Sequence, residues 1–170
     1  MEWNDIYDKD RNLTGRTHLR GTRWKRGEYG LVACVWVYDG KGNILLTRRA
    51  PEKSGAGSWE NSGGAVKAGE TSLQGVVREL FEETGIQADP NTFELLGSER
   101  DRNTHFDHYC VHAAVPLSEI RLLPGETDDV QWATFEKVHA MIKCGDIHPV
   151  IAKQFLKHEK ELLVRQTAQD

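Results

Sequence analysis

Between Gly64 and Ile86 the chain places four glutamates, Glu70, Glu79, Glu82 and Glu83, with Arg78 among them. Carboxylate oxygens are the ligands of hard divalent cations such as Mg²⁺, which bind through a few carboxylates, waters and substrate phosphates. The spacing works against helix stability. Glu79 and Glu83 form a like-charge pair at i, i+4, which costs a few tenths of a kcal/mol, and Glu82 and Glu83 fall in the last turn, where the macrodipole favours cations. Gly75 lies on the same arc, costs up to about 1 kcal/mol relative to alanine, and is expected to leave the acidic face open to a ligand. Local rules broken together on one face point to a site. The alternative is a solvated acidic helix with Arg78 paired to Glu82 at i, i+4. The flanking loop favours the site, because Gly63 and Gly64 let backbone approach it and Glu70 adds a carboxylate ahead of the helix.

A helix has to carry these groups. Thr71 reads as its N-cap with Gln74 in capping-box position, and Gly85 as its left-handed stop. At 100° per residue Leu73, Val76, Val77 and Leu80 share the packing side, opposite Glu79, Glu82 and Glu83. Around it, Leu31 to Tyr38, the turn Asp39-Gly40-Lys41-Gly42 and Ile44 to Arg48 read as a hairpin. Further strands are expected at Phe93 to Glu99, Tyr109 to Val115 and Val130 to Ala133. Thr134 is expected to cap a helix through Ile142, and a last helix to open at His148 or Pro149 and run to about Val164. With 170 residues and 38% hydrophobic content the chain can bury one core. No apolar run approaches the ~20 residues of a membrane span, and the N-terminus lacks a signal-peptide apolar region. A soluble, cytoplasmic protein is expected. Cys34, Cys110 and Cys144 are an odd number at wide spacing, which suits reduced thiols better than disulfides or zinc.

Gly64, Glu70, Arg78, Glu79, Leu80, Glu82, Glu83, Gly85 and Ile86 together resemble the Nudix box at every specified position. The resemblance implies a Nudix-like α/β/α sandwich with a mixed β-sheet in a single domain, here residues 30–170, preceded by a basic arm, residues 1–29, packed on or extending it. It also implies a metal-dependent hydrolase that cleaves a diphosphate bond in a nucleoside diphosphate derivative or a related small organic diphosphate. Attack by water on phosphorus needs the substrate charge neutralised and the nucleophile deprotonated. Glu79, Glu82 and Glu83 would hold Mg²⁺ or Mn²⁺, with the Gly64 carbonyl and Glu70 completing the shell, and Arg78 would orient a glutamate rather than ligate. The general base in such enzymes is a box glutamate or an acid on a later loop. The loop Pro124 to Asp129 supplies Glu126 as the preferred candidate, while Asp128 and Asp129 fit ordinary turn chemistry. Arg48 and Arg49 are candidate phosphate contacts, although strand-end arginines are also common surface caps. Ser62 or the Trp59 ring borders the site in this reading, although an aromatic there serves packing as readily as substrate stacking.

Residues 11–26 hold Arg11, Arg16, Arg20, Arg23, Lys25, Arg26 and His18 with no acid, in a chain of net charge −4. Either this positive charge pairs with acids elsewhere in the fold or in a dimer partner, or arginines such as Arg20 and Arg23 meet substrate phosphates. A pI near 6.0 does not suggest a polyanion-binding surface, so a nucleic-acid partner is not expected. The segment Asp5 to Gly21 also resembles the region ahead of the box in isopentenyl-diphosphate isomerase and its bacterial relatives, which makes an isomerase the alternative. Those enzymes use a cysteine and a histidine just before the box. The corresponding positions here are Gly63 and Ala65, and glycine cannot replace a thiol in proton transfer to carbon. His18 could match an N-terminal metal ligand of that group, or be polar surface. The arm and the last helix could support a homodimer, or the helix could pack on its own domain.

Overall fold

The computed structural model describes residues 1–167. In chain order its elements are β1 (Trp3–Tyr7), β2 (Leu13–Leu19), β3 (Gly30–Tyr38), β4 (Asn43–Arg49), β5 (Trp59–Glu60), β6 (Ser62–Ala65), α1 (Ser72–Thr84), β7 (Glu94–Asp101), β8 (Thr104–His112), β9 (Thr127–Thr134), α2 (Phe135–Cys144) and α3 (Pro149–Thr167). Strand β3 is the spine. It lies parallel to β8 from Gly30↔Thr104 to Tyr38↔His112 and antiparallel to β6. Its continuous apolar run follows from burial on both faces. Leu31, Ala33, Val35 and Val37 join one core with Val76 and Leu80 of α1, whereas Trp36 and Tyr38 join a second with Phe135 and Val138 of α2 and Phe155 and Leu162 of α3. Helices therefore cover both faces of a mixed sheet, as the α/β/α sandwich requires. The last helix packs on its own domain.

The β3–β4 hairpin forms, with a short ladder. Its turn forms as the residues dictate, with the Asp39 carboxylate accepting the N–H groups of Lys41 and Asn43 at 2.8 and 3.0 Å. The ladder, however, stops at a single pair, Tyr38↔Ile44. Beyond it each strand takes a longer partner, β3 with β8 and β6, and β4 with β9 and β5. The strand expected at Tyr109 to Val115 starts earlier, at Thr104. Its polar half is buried because partners reach it: Arg11 and Ser98 hold Asp107, Glu99 meets His108 at 3.2 Å, and the His105 ring sits 2.8 Å from the Asp8 carbonyl.

Helix α1 has the caps its sequence predicts. Thr71 and Gln74 close the capping box, and Gly85 stops the helix at φ 72°. Gly75 differs from expectation: a Cβ there would lie 2.9 Å from a Val66 methyl, so this glycine lets the helix press onto the chain after β6 and does not open the acidic face.

Residues 1–29 are a folded β-hairpin followed by a loop. Asn4 donates through Nδ2 to the Val66 carbonyl at 2.9 Å, the Ala68 N–H reaches the Trp3 carbonyl at 2.8 Å, and Tyr7 and Tyr29 exchange backbone hydrogen bonds. Much of the basic charge is paired inside the chain, Arg11 with Asp107, Arg16 with Glu28 and Arg20 with Glu2. Cys34 and Cys110 are buried free thiols and Cys144 is exposed. Among the described residues no helix is long and apolar enough to cross a membrane.

Candidate active site

Packing α1 against β6 turns the glutamates toward the glycine pair. One cavity is lined by Gly63, Gly64 and Ala65 of β6 and by Arg78, Glu79, Glu82 and Glu83 of α1, with Lys53, Lys67 and Glu126 from loops and Glu2 and Arg20 from the hairpin. The Glu79 carboxyl lies so close over Gly64 that a Cβ there would sit 2.5 Å from its Cδ. That approach explains the glycine. Gly63 is hemmed in by backbone instead, because a Cβ would lie 2.6 Å from the Ala33 carbonyl oxygen and from Cys34 Cα.

The glutamates differ in environment. Glu83 is only 8% exposed, and its Oε2 accepts the Gly63 N–H at 3.3 Å. Burial, reinforced by the negative charges of Glu79 and Glu60, pushes its pKa up to about 8 against the opposing hydrogen bonds of Gly63 and Ser62. Glu79 takes Arg78 Nη1 at 2.7 Å, and Glu82, more exposed, lies 3.2 Å from the same nitrogen and 3.8 Å from Lys67 Nζ. Glu70 faces elsewhere. Both its oxygens accept from Arg78, at 2.8 and 2.9 Å, and one also accepts the Lys67 N–H. Those bonds hold its carboxyl below the usual range. Glu70 thus anchors Arg78, whose Nη2 also donates to the Ala65 carbonyl at 3.1 Å.

The side chains facing the cavity that could ligate a metal are carboxyl groups, and Glu83 is a buried acid with no paired cation among the described residues. Both features fit a hard divalent ion. Among the described residues no three acidic, histidine or cysteine side chains converge into a ligand set, since Arg78 draws Glu79 and Glu82 to itself.

The other expected residues divide. Glu126 lines the cavity and is ion-paired with Lys53. Arg20 lines it too, held by both Glu2 oxygens at 3.0 Å. Arg23 is exposed and lines neither this cavity nor its neighbour. Arg48 pairs with Asp128 and Asp129 at 2.7 and 3.5 Å and lies over the Trp59 ring, while Arg49 pairs with Glu60 at 2.7 Å. Arg48, Arg49 and Trp59 thus form a group along β4 and β5 outside the cavity lining. His18 is neither surface nor among acids. It is buried and stacked on Trp24, with ring centroids 3.7 Å apart. Lys53 and Lys67 escaped the sequence reading, because a lysine in a Pro-Glu-Lys-Ser turn or a Val-Lys-Ala stretch carries no local signal that distinguishes it from surface charge.

Known proteins agree with this architecture. An uncharacterized Nudix hydrolase of Listeria monocytogenes is 34% identical over 158 residues, 87% of this chain and 88% of that protein. The isopentenyl-diphosphate Delta-isomerase of Escherichia coli is 28% identical over 115 residues, 64% of this chain and 63% of that protein. A crystal structure from Deinococcus radiodurans superposes with a TM-score of 0.79 at 21% identity, over 92% of this chain and 98% of that one, which shows a shared fold. The NUDIX domain family matches residues 28–155. Box, fold and relatives converge, and the chain belongs to the Nudix hydrolases, enzymes of diphosphate bonds.

Proposed function

We propose that this protein is a metal-dependent pyrophosphohydrolase of a nucleoside diphosphate derivative or a related small organic diphosphate. The observation that carries the reading is the single cavity in which Glu79, Glu82 and the buried, cation-poor Glu83 meet Glu126 and the cations Arg20, Lys53 and Lys67. Glu79, Glu82, Glu83 and the Gly64 carbonyl would hold Mg²⁺ or Mn²⁺, which when bound supplies charge neutralisation and a lowered water pKa. Glu70 serves the site through Arg78. That guanidinium, fixed between Glu70 and the Ala65 carbonyl, sets the positions of Glu79 and Glu82.

The chain's own cations do the rest of the electrostatic work. Lys53, Lys67 and Arg20 flank the cavity and offer charge-assisted hydrogen bonds to phosphate oxygens. Lys53 is spoken for by Glu126 in the free protein. A diphosphate competing for Lys53 frees the Glu126 carboxylate to accept a proton from the attacking water, the role of general base. Isomerase chemistry fits less well: it needs a thiol where Gly63 stands, and backbone atoms fill the space a side chain would occupy. Three free cysteines, two of them buried, support a reducing compartment, the cytoplasm.

The test is a panel of nucleoside di- and triphosphates, nucleotide sugars, ADP-ribose, dinucleoside polyphosphates and isopentenyl diphosphate, each with Mg²⁺ or Mn²⁺, read by mass spectrometry. Metal-dependent scission of a diphosphate bond is expected. Isomerised isopentenyl diphosphate with no phosphate release would replace this reading by the isomerase.

A further inference from the structure

A second chamber adjoins the glutamate cavity and shares Arg20 and Ala65 with it. The hairpin provides Asn4 and His18, the following loop Trp24, and the sheet Leu31, Val32 and Thr104. We propose that this chamber binds the organic moiety of the substrate and that the moiety is one flat heteroaromatic ring system of the kind a nucleoside carries. The proposal rests on the hydrolase reading for the diphosphate end of the ligand and goes beyond it for the other end.

Four observations carry it. The chamber is contiguous with the acidic cavity at Arg20, so a ligand whose phosphates face the glutamates would direct its remaining part there. Its volume, about 170 Å³, lies below the range of about 300–1,000 Å³ for whole drug-sized ligands and suits a single ring system. The Trp24 indole is built in rather than loose. His18 stacks on it at an interplanar angle of 12°, and Gly30 admits its far edge, where a Cβ would come within 3.0 Å of Cζ2. A fixed aromatic wall costs little entropy on binding. The lining is also mixed. Asn4 and Thr104 offer hydrogen bonds at a ring edge while Leu31 and Val32 offer apolar contact, whereas a prenyl chain would desolvate those polar groups without replacing their bonds.

Position in the chain sharpens the inference. Asn4, His18, Arg20 and Trp24 all precede residue 28, where the family match begins. The glutamates thus come from the domain that the family match covers, while the segment ahead of it contributes Arg20 between the two cavities and Asn4, His18 and Trp24 at the far end.

Indole N–H resonances of ¹⁵N-labelled protein test the idea without turnover. The chain has five tryptophans, and Trp24→Phe assigns the signal of Trp24 by its loss. The ligands are AMP, GMP, CMP and UMP, with inorganic pyrophosphate and isopentenyl diphosphate alongside. At least one nucleotide is expected to shift the Trp24 signal while pyrophosphate does not. Trp24→Ala should weaken that nucleotide by about tenfold or more, the value of one lost base stack, and leave pyrophosphate binding unchanged. Trp24→Phe, which keeps a ring, should retain most of the affinity, and Thr104→Val is a second variant should Trp24→Ala fold poorly. A Trp24 signal unmoved by every nucleotide, or moved by isopentenyl diphosphate alone, overturns the proposal, as does undiminished nucleotide affinity in both Trp24→Ala and Thr104→Val. A nucleotide that binds at Trp24 while none of its diphosphate derivatives is hydrolysed with Mg²⁺ or Mn²⁺ would instead remove the hydrolase reading and leave the chamber assigned.

Discussion

Glu83 is the residue at which folding and function pull apart. An acid whose folded-state pKa is raised keeps its proton in the folded chain at pH values where the unfolded chain has lost it. Stability without divalent ion therefore falls as pH rises from about 4.5 toward about 8. Glu83→Gln removes that loss. The variant should show no metal-dependent turnover, yet melt about 3 °C or more above the parent at pH 8 in chelator, a shift of order 1 kcal/mol in a chain of this size. A lower melting temperature would mean that the carboxylate is structural. The two glycines beside it separate along the same line. Gly64→Ala collides with the movable end of Glu79, so the fold should hold while kcat/KM drops by about a hundredfold through displacement of that carboxylate. Gly63→Ala collides with backbone and should cost about 2 kcal/mol or more in a denaturant melt. Arg20 and Arg23 look alike in sequence, but only Arg20 lines the cavity. Arg20→Ala should raise KM for a diphosphate substrate and Arg23→Ala should leave it unchanged. Equal effects would show that the basic segment acts as a diffuse field.

At the scale of elements, the ends and faces of α1 were legible and the N-terminal hairpin was not. Thr71, Gln74 and Gly85 fix the helix ends through local hydrogen bonds, and the 3.6-residue period fixes its faces, so nothing distant was needed. The hairpin depends on distant partners. Its turn holds Arg11 at φ 68°, with the Asp8 carboxylate accepting the N–H groups of Asp10 and Asn12 at 2.8 and 2.9 Å. From there the guanidinium reaches across to Asp107 of β8. Burial alone would raise the Asp107 pKa, but Arg11 and the Ser72 and Ser98 hydroxyls outweigh it and hold the carboxyl below its ordinary value. The stability this gives is present above the free value of 3.8 and is lost as pH falls through the lower folded value. Arg11→Ala leaves the buried carboxylate without its countercharge and should cost on the order of 3 kcal/mol, toward the lower end of the range because Arg11 is partly exposed. A loss under ~0.5 kcal/mol would show that water replaces the guanidinium. The same dependence explains why the strand at Thr104 was read too short. Asp107 and His108 look like loop residues until Arg11 and Glu99 are brought to them.

For the whole molecule the question is what fastens α3 to the sheet. Phe155 and Leu162 anchor it, and the Gln166 side chain bonds Gly42 N–H and the Asn43 carbonyl at the β3–β4 turn. Between these anchors lies a polar seam. His158 of α3 is buried with its ring centroid 5.1 Å from that of His108 of β8, and among the described residues neither of its ring nitrogens has a hydrogen-bond partner, Nδ1 lying 3.9 Å from a Glu161 carboxylate oxygen. Burial lowers both pKa values, and the carboxylates of Glu99 and Glu161 only partly oppose it beside the Lys157 ammonium. A base with a depressed folded pKa adds stability that is complete above its free value of 6.5 and is lost as pH falls toward the folded value. In a Glu83→Gln background, which lacks the opposing titration of that acid, the melting temperature should therefore fall between pH 7 and pH 5, and adding His158→Gln should flatten that fall. An unchanged slope would place the acid sensitivity elsewhere.

The sequence by itself determined the acidic helix, its caps, the Nudix box and hence the class of chemistry, because those features are local: hydrogen bonds within a few residues and one helical period. Tertiary structure decided the rest. It made Gly75 a packing glycine, turned Glu70 into the anchor of Arg78, and sent Arg48 and Arg49 to Asp128, Asp129 and Glu60. It also brought Lys53 to Glu126 across 73 positions of sequence and seated Trp24 on His18 beside the acidic cavity. Whether a charged side chain meets a substrate or a neighbour depends on which backbone the fold carries past it, and no spacing within a single segment contains that information.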